Sequence, residues 1–434
     1  MRILLMPIGS AGDVYPYIRL GVELQRRGHK IIMATSDVFR DLAVTEGFAF
    51  ISLANREEHE QVQADPLLWN PRRGANVFVR NVILRFMQRQ YKAIEECWRN
   101  NQCDAVVAAG QAIGARIAQE KLGVPLATVH LSPFFFRSSY RNRRVPGLVI
   151  PDFVPRNWKQ ALFRAADFAG DWIYGGAVNE FRGSLGLKPA NAIFWDWWNS
   201  PQLILALFPR WFAPPQPDWP PQTQLTGFPL YDPPHVESLS PKLAAFLAAG
   251  ERPIVFTPGT AMAHANEFFA TSLRAVEVLN RRAIFVSQFL DQLPKTLPDS
   301  VAACRYAPFG ELLPRASAIV HHGGIGSISQ ALAAGIPQLV MPRGFDQPEN
   351  ASRIVDLKIG AQISPRRYSI GRVAQELRWL LSSQDILSRC QDIALRFPAA
   401  AQVDEACCAI EGLAGSNICS STTASHELAA TEHD

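Results

Sequence analysis

The chain has 434 residues, of which 48% are hydrophobic and 19% charged, with a formal net charge of +4. That length carries two or three domains, each able to bury a core; the near-neutral balance does not call for nucleic acid as a partner, and no apolar run reaches the length of a membrane span. Seven cysteines without metal-ligand or disulfide spacing point to reduced thiols in a cytoplasmic protein.

In chain order, Met1-Arg2-Ile3-Leu4-Leu5-Met6-Pro7-Ile8 imitates a signal peptide. Its apolar stretch is short and no small-residue cleavage site follows, so residues 3–8 read as a first strand. Residues 14–27 read as a helix with Val14, Ile18 and Leu24 inward, Arg19, Glu23 and Arg26 outward, and Gly28 at its end. A strand at 30–35, a helix at 38–46, a strand at 48–53 and a long amphipathic stretch at 76–99 follow. Strands at 104–109 and 125–130 flank a helix at 113–122. Repeated βαβ units imply an α/β, doubly wound parallel sheet with ligands at the carboxyl ends of its strands. The first strand ends in Gly9-Ser10-Ala11-Gly12-Asp13, where Asp13 has a local explanation as a helix N-cap.

Residues 132–215 change character. Phe134-Phe135-Phe136 precede Arg137, Arg141, Arg143 and Arg144, and then helical stretches dense in Trp and Phe. A core helix pair with a solvated loop accounts for this, and so does an apolar acceptor pocket beside a membrane-facing basic edge. Prolines crowd residues 208–234 as in a semi-rigid linker, and a linker between two α/β domains implies a cleft. The expected domains are 1–215 for the acceptor and 241–395 for the nucleotide, joined by a linker at 216–240. A helix at 396–414 and a disordered tail at 415–434 complete the chain.

The second series starts with a strand at 253–257 followed by Pro258-Gly259-Thr260. A helix at 267–279, a strand at 283–287 and a strand at 316–320 follow, the last running into His321-His322-Gly323-Gly324-Ile325-Gly326-Ser327. Residues 328–334 read as a short helix closed by Gly335 and stopped by Pro337, and the strand at 338–341 leads to Arg343-Gly344-Phe345-Asp346-Gln347. A strand, a glycine-rich turn and a helix N-terminus make an anion site: the backbone can come close, free N–H groups point outward and the helix dipole favours negative charge. The two histidines add donors for a phosphate oxygen. Gly324 and Gly326, with Asp346 twenty residues on, mimic part of a dinucleotide fingerprint, but Ser329 stands where its third glycine belongs. A nucleotide diphosphate is the better guest. The loops after all four strands open toward one inter-domain cleft, so an acid from one half faces a diphosphate held by the other.

The order Gly12-Asp13, Tyr306-Ala307-Pro308, His321 to Ser327 and Asp346-Gln347 with Asn350 resembles the family 1 glycosyltransferases of the GT-B fold, over roughly residues 2–413. The resemblance implies two Rossmann-like domains, inversion at the anomeric carbon, no metal, no cofactor beyond the dTDP- or UDP-linked sugar donor, and a last helix packed on the first domain. It also implies roles. His322, Gly324, Gly326 and Ser327 would hold the diphosphate with Gly259 and Thr260; Tyr306 and Ala307 would hold the base. Asp346 and Gln347 would bind the donor sugar, and Asp13 would be the catalytic base. Gln330 stands where plant members carry a ribose-binding Glu. Ser200-Pro201-Gln202, Trp211-Phe212-Ala213-Pro214-Pro215-Gln216, Asp218-Trp219-Pro220 and Thr226-Gly227-Phe228-Pro229-Leu230 look like the rhamnosyltransferases of rhamnolipid synthesis. Those act on a hydroxyacyl-oxy fatty acid, implying an apolar hydroxylated acceptor met at the inner membrane face. A more distant likeness is to bacterial sterol-type glucosyltransferases using UDP-glucose. An epimerase of the same fold, or a non-catalytic binder, would have less need of Asp13 and an apolar pocket. His29 and His130 read as structural, and His264 is left open.

Overall fold

The computed structural model describes residues 1–413 except 71–72, 142–149, 152, 234–238, 261, 263 and 398–402. Arg143, Arg144 and the tail at 415–434 therefore lie outside the described residues. Among those described, two parallel sheets form. The first contains β1 (Arg2–Met6), β2 (Lys30–Ser36), β3 (Ala49–Ala54), β4 (Ala105–Ala109), β5 (Leu126–His130), β6 (Leu203–Ala206) and β7 (Thr223–Leu225), in the order β3-β2-β1-β4-β5-β6-β7. The second contains β8 (Ile254–Thr257), β9 (Ala283–Val286), β10 (Val301–Cys304), β11 (Ala318–His321), β12 (Gln338–Val340) and β13 (Gly360–Gln362), in the order β10-β9-β8-β11-β12-β13. The protein is an α/β chain of two doubly wound parallel sheets, each a Rossmann-like domain.

Alternation along β1 explains the first core. Ile3 and Leu5 pack on one face with Val14, Ile18 and Leu24, and Leu4 and Met6 pack on the other with Ile94 and Ile117. Both faces are covered, so the strand reads as one apolar run. The helix at 403–413 returns to this domain. Val403, Ala406, Cys407, Ile410 and Leu413 join the core of Ile3 and Val14. Arg27 reaches Asp404 at 2.7 Å and Glu411 at 3.1 Å, and His29 Nε2 lies 2.8 Å from Glu411. No helix among the described residues is long and apolar enough to cross a membrane.

Three sequence expectations need correction. β6 and β7 extend the first sheet through stretches read as an aromatic segment and a linker; β7 has three residues, too few to show a period, and its flanking Pro220-Pro221 are tolerated at a sheet edge. The helices expected at 14–27 and 328–334 are Ala11–Arg26 and Ile325–Ala334. Both begin earlier for one reason: Gly12 and Gly326 make the first turn read as loop, although Ala11 and Ile325 already pack in the core.

Candidate active site

In each sheet the strand order reverses beside the first strand, between β1 and β4 and between β8 and β11, and a ligand crevice opens there. The two crevices share one cavity of about 680 Å³, lined by Gly9 to Asp13 from the first domain and by Thr257 to Thr260, His322 and Gly324 to Ser327 from the second. The helices Ala11–Arg26 and Ile325–Ala334 meet across it at their N-termini, where a Cβ on Gly326 would lie 3.9 Å from the Gly12 Cα. Two sets of unpaired helix N–H groups and two positive dipole ends converge on one point. That point suits a diphosphate.

Asp13 is not the N-cap expected from sequence. Ser10 holds that position, and Asp13 sits three residues into the helix, its Oδ2 accepting from Ser10 N at 2.8 Å and Ser10 Oγ at 3.1 Å. The approach depends on Gly9, whose φ is +128° and whose Cβ, if present, would lie 2.2 Å from Asp13 Oδ2. Desolvation raises the Asp13 pKa above the ordinary carboxylate range, opposed by the bonds from Ser10. Tyr17 follows one turn later with its hydroxyl buried and unpartnered.

The two histidines divide their roles. His321 is fully buried and accounted for: Nε2 lies 3.0 Å from Gln338 Oε1, and Nδ1 accepts from Gly323 N at 3.1 Å, locking the turn. His322 lines the cavity instead, its ring wedged between two glycines. A Cβ at Gly259 would fall 2.6 Å from its Cε1, and one at Gly324 would fall 2.4 Å from its Nε2. Desolvation, then the charges of His321 and Arg343, push its pKa down to about 3, so the ring is neutral and donates one N–H. The Gly259 N–H is already spent on Thr257 Oγ1 at 3.3 Å, leaving Thr260 and Ser327 as the exposed and half-buried donors flanking the ring.

Tyr306 and the buried Ala307 line the same end of the cavity. Gln330 is turned toward a residue that sequence reasoning passed over: its Nε2 donates to Asp232 Oδ1 at 3.5 Å. Asp232 also accepts from Phe309 N at 3.2 Å and Gly310 N at 2.7 Å, and it lines the cavity. A carboxylate thus stands beside the position where Gln330 replaces an acid. Nothing in the linker's local pattern marks Asp232, because its partners lie 77, 78 and 98 residues away in sequence.

Asp346 and Gln347 both line the cavity, but differently engaged. Gln347 Oε1 accepts from Arg343 N at 2.8 Å and Gly344 N at 3.2 Å, shaping the loop. Asp346 Oδ2 accepts from Asn350 Nδ2 at 2.7 Å, and Asn350 Oδ1 accepts from Ser132 Oγ of the first domain at 2.7 Å. Desolvation first, and the nearby Asp13 charge second, push Asp346 up to about 6. A carboxyl with a raised native pKa stabilises the fold fully below its unfolded value and loses that contribution as pH rises through about 6. Asp346→Asn, which does not titrate, should therefore gain melting temperature relative to the parent chain between about pH 4 and pH 7. Parallel melting curves across that range would show that Asp346 carries no such strain.

The first-domain wall of the cavity is aromatic and aliphatic: Trp69, Phe78, Val82, Phe86, Phe134, Phe135, Tyr174 and Trp195 face it. Phe345, at φ +53°, reaches across from the second domain and sets its ring 5.6 Å from Trp69 and 5.7 Å from Phe78. The phenylalanine triplet splits: Phe134 and Phe135 line the cavity, and Phe136 stacks in the core on Trp219 at 4.5 Å. The segment thus divides between cavity lining and core. His130 is buried behind the wall, bonded to Asn199 and stacked on Phe135, while His29 serves the returning helix.

Comparison with known proteins agrees with this architecture. Residues 3–140 match the glycosyltransferase family 28 N-terminal domain, and residues 283–403 match the erythromycin biosynthesis protein CIII-like C-terminal domain. The chain is 30% identical to the glycosyltransferase GtfC of Amycolatopsis orientalis over 84% of its own length and 86% of the relative's. It is 27% identical to the O-mycaminosyltylonolide 6-deoxyallosyltransferase of Streptomyces fradiae, over 95% of the chain and 97% of the relative. The solved glycosyltransferase VinC in complex with dTDP superposes with a TM-score of 0.67 at 19% identity, over 96% of this chain and 100% of that one. With two Rossmann-like domains and one cavity at their facing helix ends, the chain belongs to the family 1-type GT-B glycosyltransferases, nucleotide-sugar enzymes of the natural-product kind.

Proposed function

We propose that the protein is an inverting, metal-independent hexosyltransferase that moves L-rhamnose from dTDP-rhamnose to a hydroxyl of an apolar, long-chain acceptor such as a hydroxyalkanoyloxy fatty acid. The observation that carries this reading is one cavity lined by Asp13, by the two glycine turns and by an aromatic wall. Asp13 takes the acceptor hydroxyl proton as that oxygen bonds to the anomeric carbon and the bond to the diphosphate breaks. His322, Thr260, Ser327 and the Gly324–Gly326 helix end take up the charge of the departing diphosphate, so the step calls for no metal, and a chelator should leave the rate unchanged. Tyr306 and Ala307 hold the base, Asp232 with Gln330 meets the pentose hydroxyl, and Asp346 with Gln347 orients the sugar. Tyr17 Oη, Trp69 Nε1 and Gln90 Nε2 line the cavity buried and unpartnered, and they supply hydrogen bonds for the polar groups of the acceptor.

Support for the dTDP carrier is the replacement of the ribose-binding acid by Gln330 and the dTDP bound by VinC. Calorimetry should find dTDP bound at least as tightly as UDP. A tenfold preference for UDP, about 1.4 kcal/mol, would favour a UDP-glucose enzyme acting on a sterol, hopanoid or other lipid. Mass analysis of products from a panel of nucleotide sugars and hydroxy acids of graded length tests the whole reading. Each buried methylene contributes about 0.8 kcal/mol, so KM should rise about fourfold per carbon removed. Equal use of a small, polar acceptor would overturn the acceptor assignment.

A further inference from the structure

The helix Arg156–Gly170 and the turn Asp171–Gly175 form one wall of the acceptor end, with Gly170 and Tyr174 facing the cavity. The opposite side of the same segment is apolar too. Phe153, Trp158, Leu162, Phe168, Trp172 and Ile173 are between 47% and 86% exposed, and they account for six of the fifteen exposed large hydrophobic residues in the described chain. Trp158, Leu162 and Trp172 fall at helical spacing on one stripe, with Ala161, Ala165 and Ala169 exposed among them. A surface helix normally turns its apolar stripe inward; this one carries apolar residues on both sides.

The charges along the segment are sorted by sign. Its acids are occupied from within: Asp167 takes Arg137 at 2.7 and 2.9 Å, and Asp171 accepts from Ala192 N at 2.6 Å and Ile193 N at 3.1 Å. Asp196 nearby is exposed but lies 3.6 Å from the same Arg137. Arg164 on the helix is exposed; Arg156 is exposed too but stacks on Tyr140 at 3.6 Å, and Arg80 lies over the cavity-facing Tyr174. An apolar stripe bearing two tryptophans, bordered by the exposed Arg164, fits an anionic lipid surface: the rings sit at headgroup depth while the guanidinium group meets phosphate.

We propose that this segment is a docking surface for an anionic bilayer, set against the acceptor end of the cavity so that an apolar acceptor passes from the lipid into the site. The proposal rests on the reading of that end as an apolar acceptor site, but its test needs neither donor nor acceptor. Full-length protein is sedimented with phosphatidylcholine vesicles with and without phosphatidylglycerol. The parent chain should bind the anionic vesicles, and Trp158→Ser with Trp172→Ser should lower its partition coefficient by about tenfold or more at unchanged melting temperature and dTDP affinity. Trp379→Ser, which removes an exposed tryptophan of the other domain, should change nothing. Arg164→Glu keeps the apolar stripe and should weaken binding to the anionic vesicles alone, which holds the proposal to account even if the double variant folds poorly. A parent chain that ignores both vesicle types overturns the proposal. If it also self-associates and the double variant does not, the face belongs to a second copy.

Discussion

Asp13→Asn should keep the melting temperature and the dTDP affinity of the parent chain while lowering kcat at least a hundredfold. The loss expected from removing a general base is about 10²–10⁴ in rate. Stability should hold because an amide oxygen can still accept from Ser10 N, the bond that Asp13 Oδ2 makes at 2.8 Å. Two further effects oppose each other. A negative charge in the first helical turn is worth about 0.3–1 kcal/mol, yet desolvation raises the Asp13 pKa, so its ionised form destabilises the fold as pH rises through that value. Their difference should leave the variant equal to the parent or slightly more stable at neutral pH. Turnover within a few-fold of the parent would make Asp13 a capping residue and place the base elsewhere. Asp13→Ser, which keeps a short acceptor on the helix, repeats the test should Asn perturb the turn.

Gly324→Ala should weaken nucleotide-diphosphate binding as much as His322→Ala does, without removing a functional side chain. The added Cβ would fall 2.4 Å from His322 Nε2, in a ring site where even a Cβ at Gly259 would fall 2.6 Å from Cε1, so the ring must shift. Losing the hydrogen bond from His322 to a charged oxygen costs about 1–3 kcal/mol, or about 5- to 150-fold in dissociation constant. Because both changes act through one ring, the double variant should bind hardly worse than either single one. Calorimetry with dTDP on the four proteins closes the cycle. Strictly additive losses would separate Gly324 from His322 and return the turn to a backbone-only site. Unchanged affinity of His322→Ala would remove His322 from the site.

Much of this site is legible because its physics is local. A strand, glycines and a helix start within a few residues define the His322 turn, and the repeated strand-helix alternation defines the sheets. What stayed hidden depends on contacts distant in sequence. Asp232 becomes a site-lining acid only when Phe309, Gly310 and Gln330 come to it. His321 and His322 are adjacent and chemically identical, and only Gln338 and the glycine wedge tell the buried lock from the cavity donor. Phe134, Phe135 and Phe136 look alike in sequence, yet the short turn Pro133–Phe135 ends between the second and third and sends Phe136 to Trp219. The misplaced helix starts share a cause with the Asp13 error: Gly12 and Gly326 make the first helical turn read as loop, which places each start three residues late.

The helix at 403–413 has a consequence for how this protein can be taken apart. Since Val403, Ala406, Cys407 and Ile410 complete the packing around Ile3 and Val14, the first domain is discontinuous along the chain and the second is, in effect, inserted into it. No single cut releases either one intact. A chimera that borrows a donor half from a relative must be spliced twice, and the closing splice must restore the native 403–413 segment with its Asp404 and Glu411 partners for Arg27.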